Sequence, residues 1–246
     1  RTPTGKEHWT LAPKETTGDG VALGESAGGV LDTDLASPAA WCPVSLVPYR
    51  SGRVGVYPHI VDRGKPGLIA VLSTGKRFVN EAAPYSDVVH VMYDKNVITP
   101  DIPAWLIVDQ NYRNRYLFAG LGPRQPFPGR WLKEGVIKKA STIEGLAEAI
   151  EVPVEDLKAT IDRFNGFAAT GVDEDFHRGA SANDRYYSDP RAKPNPTWRP
   201  AGRPSSISAS QTGAHSSSHQ WPDGGDAGIS VLRNPSARAR RISATA

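Results

Sequence analysis

The chain has 246 residues, of which 39% are hydrophobic and 22% charged. This composition is typical of a globular protein, and since no apolar run approaches the roughly 18 residues of a membrane span, we expect no transmembrane segment. The formal net charge of +3 is modest. The arginines near the end are not interleaved with aromatic residues, so we expect no nucleic-acid partner. Cys42 is the single cysteine, which excludes an internal disulfide and favours a cytoplasmic location.

The first 40 residues contain one predicted helix, over residues 21–29. Thr17 or Asp19 is a suitable N-cap, and the glycine that begins a Gly-Gly pair, Gly28, is expected to end the helix. The residues between are small or aliphatic, so we expect the helix to be closely packed.

Residues 41–57 are predicted to form a loop, because Pro43 and Pro48 interrupt regular structure. Two later apolar runs predict strands, at residues 67–72 and 103–109. The second run has no polar interruption before its final residue, so we expect that strand to be buried on both faces.

Three helices are predicted in the middle of the chain. One spans residues 85–93 after a proline. A capping box formed by Ser141 and Glu144 precedes the second. The third starts at Pro153 and ends at Gly171, and its apolar residues recur at helical spacing: Leu157, Ile161, Phe164 and Ala168. We expect the last two helices to pack on the strands.

The character of the sequence changes near residue 199. Ser, Ala, Gly, Pro and Arg dominate residues 199–246, and aliphatic residues are sparse. Such a segment buries too little apolar surface to offset a chain entropy of roughly 1–2 kcal/mol per residue, so we predict disorder. A GC-rich gene read in the wrong frame gives the same composition, and we hypothesise a frameshift after about residue 198.

Several strings occur in an order that resembles one family. The longest are GKRFVNEAAPY at residues 75–85 and GVDEDFHRG at residues 171–179. Shorter strings lie at residues 17–20, 103–105, 130–132, 163–165 and 193–196. Together they resemble the 3-ketosteroid Δ1-dehydrogenase branch of the FAD-dependent fumarate reductase and succinate dehydrogenase superfamily.

The resemblance implies an α+β fold, as the substrate domain of a two-domain flavoprotein. Residues 1–40 would be a remnant of the Rossmann-like FAD-binding domain, residues 41–198 the substrate domain, and residues 199–246 a disordered tail. The family's Gly-x-Gly-x-x-Gly turn and its later glycine-rich segment are not found in the sequence. We therefore expect the chain to be a fragment that is inactive alone.

The resemblance also implies the chemistry. A base takes a proton from the carbon beside the steroid ketone, and FAD accepts a hydride from the adjacent carbon. An external electron acceptor then reoxidises the flavin. Tyr85, directed by Pro84, is the candidate base, with a loop-capping tyrosine as the alternative. Gly18, Asp19 and Gly20 are candidate FAD-binding residues, with simple helix capping as the alternative.

Three residues are candidates for substrate binding: Trp41, Glu81 and Arg113. Trp41 lies in the predicted proline-rich loop. Glu81 and Arg113 fall where fumarate reductase relatives relay a proton, and the alternative is a Glu–Arg pair that holds a hairpin together.

The acidic run at residues 173–177 has a single histidine and matches no zinc or calcium spacing. We expect no metal there, but a hydrogen-bonded corner in which Arg178 neutralises the acids. Two other functions remain open for the whole chain. One is a flavin-dependent dehydrogenase or reductase of another unsaturated carbonyl or carboxylate, and the other is a binding module without catalysis.

Overall fold

The computed structural model describes residues 8–13, 15–32, 34, 40–98, 102–201 and 207–216. Helices and strands are mixed along the chain, as predicted for an α+β fold. The strands are β1 (His8–Thr10), β2 (Trp41–Pro48), β3 (Val54–Pro58), β4 (Leu68–Val71), β5 (Ala104–Asp109), β6 (Ile137–Ala140) and β7 (Ile207–Ser216). The helices are α1 (Asp19–Ser26), α2 (Tyr85–Ile98), α3 (Gln110–Arg115), α4 (Gly129–Lys133), α5 (Ile143–Ala149), α6 (Val154–Thr170) and α7 (Ala182–Tyr186).

Strand β7 is the centre of the sheet, whose order is β3-β2-β7-β5-β4. The first part of β7 pairs antiparallel with β5 and β6, and its second part pairs antiparallel with β2 and parallel with β1. β7 thereby joins the half of the sheet that contains β2 and β3 to the half that contains β4 and β5.

The prediction of disorder is wrong for residues 207–216, which form β7. Ala209 and Ser210 are completely buried. Local sequence gives no sign of this strand, because most of its residues are small or polar and it gains stability from the strands on its two edges. The predicted tail beyond residue 216 lies outside the described residues.

The predicted loop at residues 41–57 is also wrong, because it contains β2 and the start of β3. Proline removes an N–H donor but keeps its carbonyl. The carbonyl of Pro43 accepts from the backbone N–H of His59 at 2.8 Å, and that of Pro48 accepts from Trp131 Nε1 at 3.0 Å. Both prolines thus contribute hydrogen bonds to the fold.

Strands β4 and β5 lie between two apolar layers, and burial on both faces was predicted for the second of them, at residues 103–109. Leu68 and Ala70 face the cluster that contains α2, whereas Ile69 and Val71 face α5 and α6. The predicted apolar face of α6 packs in this second cluster: Leu157, Ile161, Phe164 and Ala168. The prediction that α5 and α6 pack on the strands is confirmed.

Helix ends follow the predicted chemistry with small shifts. The cap of α5 is Thr142, one residue beyond Ser141, and its Oγ1 accepts from the N–H of Gly145 at 3.0 Å. Helix α6 ends at Gly171 as predicted, since a φ of +79° favours glycine. Among the described residues, no helix is long and apolar enough to cross a membrane.

Helix α1 differs from its prediction in packing. The helix forms and ends before a Gly-Gly pair, but Gly18 rather than Thr17 or Asp19 occupies the N-cap position. No residue of α1 is buried, and Leu23 is 71% exposed. The expectation of a closely packed helix is therefore wrong.

Candidate active site

Tyr85 is the first residue of α2, and its side chain is 38% exposed. The residue before it, Pro84, accepts the first helical hydrogen bond from the N–H of Val88 at 3.2 Å. Because Pro84 has a fixed φ, the start of α2 has little freedom to move relative to the preceding turn. The structure thus presents the phenol of Tyr85 at the surface on a well-defined backbone.

The turn before Tyr85 is fixed by Asn80. Its Oδ1 accepts from the N–H of Ala82 at 2.9 Å, and its carbonyl accepts from the N–H of Ala83 at 3.1 Å. Its Nδ2 donates to Asp184 Oδ2 in α7 at 3.0 Å. Asn80 therefore stabilises the turn by hydrogen bonds within it and by one hydrogen bond to α7.

Glu81 is completely buried and forms ion pairs with two arginines. Arg77 Nη2 and Arg178 Nη1 lie 2.8 and 3.0 Å from its Oε2, and Oε1 accepts from Arg77 Nε and from the N–H of Ala70. Burial alone would raise the pKa of Glu81, but the charges of Arg77 and Arg178 outweigh it and lower the pKa. The carboxylate is thus held ionised within the protein.

Asp173 extends this ion-pair cluster to the acidic corner. Its Oδ2 lies 3.0 Å from Arg77 Nη2 and also accepts from the backbone N–H of Arg178. The guanidinium of Arg178 bonds Glu81 rather than the acids of the corner, so the sequence prediction named the wrong arginine side chain. In the part of the chain that the structure describes, no cluster of three potential metal ligands occurs.

Arg113 lies apart from this cluster. Its guanidinium donates to the backbone carbonyls of four residues: Tyr116, Leu121, Gly122 and Gln125. Burial lowers the pKa of Arg113. The structure does not place Arg113 on Glu81, so the Glu–Arg pair that holds the hairpin uses Arg77 and Arg178.

Trp41 belongs to the core instead of an open loop. It is 1% exposed, and its ring packs edge-on against Tyr93 of α2 with centroids 5.2 Å apart. Trp41 therefore packs β2 against α2, the helix that begins with Tyr85.

The Gly18–Gly20 segment starts the exposed helix α1. Gly18 has a φ of +89°, and no heavy atom lies within 4 Å of the position that a Cβ would take at Gly18 or Gly20. Thr17 Oγ1 donates to Asp19 Oδ1 at 2.6 Å. An open helix start with bare backbone fits one edge of a site for a phosphate-bearing cofactor such as FAD.

A buried polar chain was missed by the sequence analysis. His59 Nδ1 lies 2.7 Å from Asp62 Oδ2, its Nε2 lies 2.8 Å from Ser45 Oγ, and Ser210 Oγ follows at 3.1 Å. The order resembles a hydrolytic triad, but all four residues are buried. We therefore interpret this row of hydrogen bonds as structural: it joins β2, the turn after β3 and β7. The His-x-x-Asp spacing is too common in sequences to have identified it.

A cleft of about 550 Å³ lies between the turn after β3 and the end of α3. Its lining carries both signs of charge: Asp62, Lys65, Arg115, Asp189 and Arg191. Asp189 is bonded within the protein by Tyr116 Oη at 2.7 Å and by Arg191 Nε at 3.0 Å. None of the site residues predicted from sequence is among the lining residues of this cleft.

The model of the family described as FAD binding domain matches residues 1–216. Because this range covers most of the chain, the chain belongs to the FAD binding domain family. It is 48% identical over 194 residues to a 3-oxosteroid 1-dehydrogenase of Mycolicibacterium smegmatis, and the match covers 76% of this chain and 33% of the relative.

Two further comparisons agree with this assignment. A 4-oxocyclohex-2-ene-1-carboxylate 5-dehydrogenase of Sinomonas cyclohexanicum is 36% identical, with 74% of this chain and 31% of the relative covered. The crystal structure of a 3-ketosteroid Δ1-dehydrogenase of Sterolibacterium denitrificans superposes with a TM-score of 0.74 at 33% identity, covering 85% of this chain and 37% of that one. The chain spans about a third of the length of the curated relatives it matches.

Proposed function

We propose that this chain is the substrate-domain part of an FAD-dependent dehydrogenase that introduces a C1–C2 double bond into ring A of 3-ketosteroids. The observation that carries the proposal is the 48% identity to a 3-oxosteroid 1-dehydrogenase, in a chain that presents Tyr85 on a fixed turn. FAD, when bound, supplies the acceptor for the hydride that leaves the steroid.

Tyr85 is proposed as the base that takes the proton next to the ketone. Its partly exposed phenol at the start of α2 can meet a ligand on the surface. Proton transfer by a positioned side chain contributes about 10²–10⁴-fold to a rate. The electrons then pass to an external acceptor, which we propose as the second partner.

Gly18, Asp19 and Gly20 are proposed to contact FAD, because their backbone is open to a close approach. We propose residues 1–40 as part of the FAD-binding domain and residues 41–198 as the substrate domain. A cytoplasmic location is part of the proposal and is supported by the single, buried Cys42.

We propose an indirect role for the three residues that the sequence analysis assigned to substrate binding. The side chains of Trp41, Glu81 and Arg113 are enclosed by the protein. We propose that they shape the substrate surface through the backbone that they hold: Trp41 behind α2, Glu81 beneath the turn, and Arg113 at the end of α3.

The test uses the protein as its gene encodes it, loaded with FAD, with androst-4-ene-3,17-dione and a dye as electron acceptor. The proposal expects the 1,4-diene product by mass spectrometry, and Tyr85→Phe should lower kcat at least about a hundredfold. Tyr186→Phe is the matched control, because Tyr186 is exposed on α7. An active Tyr85→Phe variant would refute the assigned base.

A second candidate substrate is a smaller cyclic ketone acid, which the 36% identity to a 4-oxocyclohex-2-ene-1-carboxylate 5-dehydrogenase favours. The same assay with 4-oxocyclohex-2-ene-1-carboxylate separates the two candidates by their kcat/KM values. A binding module without catalysis predicts steroid binding heat by calorimetry but no product with any acceptor.

A further inference from the structure

The guanidinium of Arg63, in the turn after β3, donates to three backbone carbonyls. Arg63 is 2% exposed. Its Nε donates to the carbonyl of His59 at 2.6 Å, its Nη1 to that of Glu81 at 2.7 Å, and its Nη2 to that of Ala83 at 3.3 Å. One planar side chain therefore joins the end of β3 to two residues of the turn that leads into α2.

Among the described residues, neither of the nearby acids Asp62 and Glu81 bonds the guanidinium of Arg63 directly. Asp62 bonds His59 through its Oδ2, and Glu81 pairs with Arg77 and Arg178. Burial lowers the pKa of Arg63, although nearby acids oppose this effect. A buried charge without a directly bonded carboxylate is costly, and at Arg63 this cost is offset by the hydrogen bonds to the three carbonyls that it holds in place.

Three successive carbonyls of the turn accept hydrogen bonds from side chains. Arg63 binds those of Glu81 and Ala83, and Asn183 Nδ2 donates to that of Ala82 between them at 3.4 Å. The next residue, Pro84, has a fixed φ and precedes Tyr85 directly. Arg63 and Asn183 therefore add to the hydrogen bonds of Asn80 in fixing the backbone from which Tyr85 leaves the turn.

We propose that Arg63 is a positioning residue for Tyr85, acting through the carbonyls of Glu81 and Ala83, with Asn183 completing the clamp on the turn. The inference rests on the proposed function, in which Tyr85 is the base. Lysine cannot replace the arginine, because one ammonium group does not present the fixed fork that bridges three carbonyls.

The first experiment compares Arg63→Lys with the matched control Arg130→Lys in the FAD-loaded protein. Arg130 also holds a carbonyl, that of Pro48, through its Nε at 2.6 Å, but it does not bind the turn. We expect Arg63→Lys to lower kcat on the order of ten- to a hundredfold, since a small misplacement of a reacting group has effects of this size. KM should change less than kcat, because proton transfer depends more steeply on the position of the phenol than ground-state binding does.

The decisive measurement does not depend on activity. 3-Fluorotyrosine is placed at position 85 and, in a separate sample, at position 186, and ¹⁹F spectra are recorded for each variant. The proposal expects the resonance at position 85 to broaden or split in Arg63→Lys and to stay single in Arg130→Lys, with position 186 unchanged in both. A single, unshifted resonance at position 85 in Arg63→Lys overturns the proposal.

The two readouts separate this inference from the proposed function. If the unsubstituted protein does not dehydrogenate steroids, the fluorine spectra still decide whether Arg63 orders Tyr85. If Arg63→Lys does not fold, Asn183→Ala replaces it, because Asn183 is exposed and its loss removes only the central bond of the clamp. A sharp, unshifted resonance at position 85 in that variant also overturns the proposal.

Discussion

Arg178 Nη1 lies 3.0 Å from Glu81 Oε2, and both side chains are completely enclosed. Arg178 also donates to the carbonyls of Leu68 and Lys65, at 2.8 and 2.9 Å. Since Arg178 follows α6 and Glu81 precedes α2, this pair connects the two helical layers around the edge of β4. The turn that leads to Tyr85 therefore depends on an arginine 97 residues away in sequence.

Glu81→Gln should destabilise the fold strongly. The substitution leaves the buried guanidinium groups of Arg77 and Arg178 without this carboxylate, and breaking a buried pair from one side costs about 3–5 kcal/mol. Urea unfolding followed by circular dichroism measures the change. The control is Glu144→Gln, which removes an exposed pair with Lys158 and should cost less than about 1 kcal/mol. Equal losses in the two variants would contradict the assigned role of Glu81.

Acid should destabilise the protein through the same cluster. The folded pKa values of Glu81 and Asp173 lie below their ordinary values of 4.5 and 3.8. Their contribution to stability is therefore complete above those ordinary values and is lost as the pH falls through the lowered pKa values. The free energy of unfolding should fall as the pH is lowered below about 4.5. Asp173→Asn should show a shallower pH dependence than the unsubstituted chain, and an unchanged dependence would contradict the prediction.

Ala209→Asp should prevent or greatly weaken folding. Ala209 is completely buried in β7, where a carboxylate finds no solvent, and such a change costs on the order of 3–5 kcal/mol. Ala180→Asp is the control, because Ala180 is exposed and its substitution should stay within about 0.5 kcal/mol. Thermal unfolding measures both, and a fully stable Ala209→Asp variant would show that β7 is not part of the sheet.

Cys42 should be nearly inert in the native protein. Burial raises the pKa of its thiol to about 12, and only the thiolate attacks disulfide reagents. At pH 8 the native rate with such a reagent should be more than about a hundredfold below the rate in concentrated urea, where the pKa returns to about 8.5. Because β2 pairs Cys42 with His215 of β7, a fast native rate would indicate that these two strands separate.

Strong local patterns predicted their elements correctly. The apolar runs of β4 and β5 and the helical repeat of α6 each carry enough information within a single segment. Strands β2 and β7 were not predicted, because β2 contains prolines and β7 consists mostly of small and polar residues. Their strand conformation comes from partners distant in sequence, which a local pattern does not contain.

At the candidate active site, too, the sequence did not reveal which residues contact each other. The sequence proposed Glu81 and Tyr85 as site candidates through a long string, and it offered an ion pair as the alternative role of Glu81, which is the role seen in the structure. It named Arg113 beside Glu81 and did not consider Arg77, four residues before Glu81, because only the fold reveals that Arg77 binds Glu81 and that Arg113 binds carbonyls. Arg63 gave no sequence signal, since an arginine that binds only backbone leaves no paired residue type to recognise.

The position of β7 also has a consequence for the order in which the chain acquires its structure. Residues 41–44 of β2 and 104–109 of β5 pair with β7, which lies about a hundred residues or more further along the chain. Contacts of such long range slow folding, because loops must close before the contacts form. During synthesis β2 and β5 therefore emerge with unpaired edges, and until residues 207–216 leave the ribosome those edges are open to other chains.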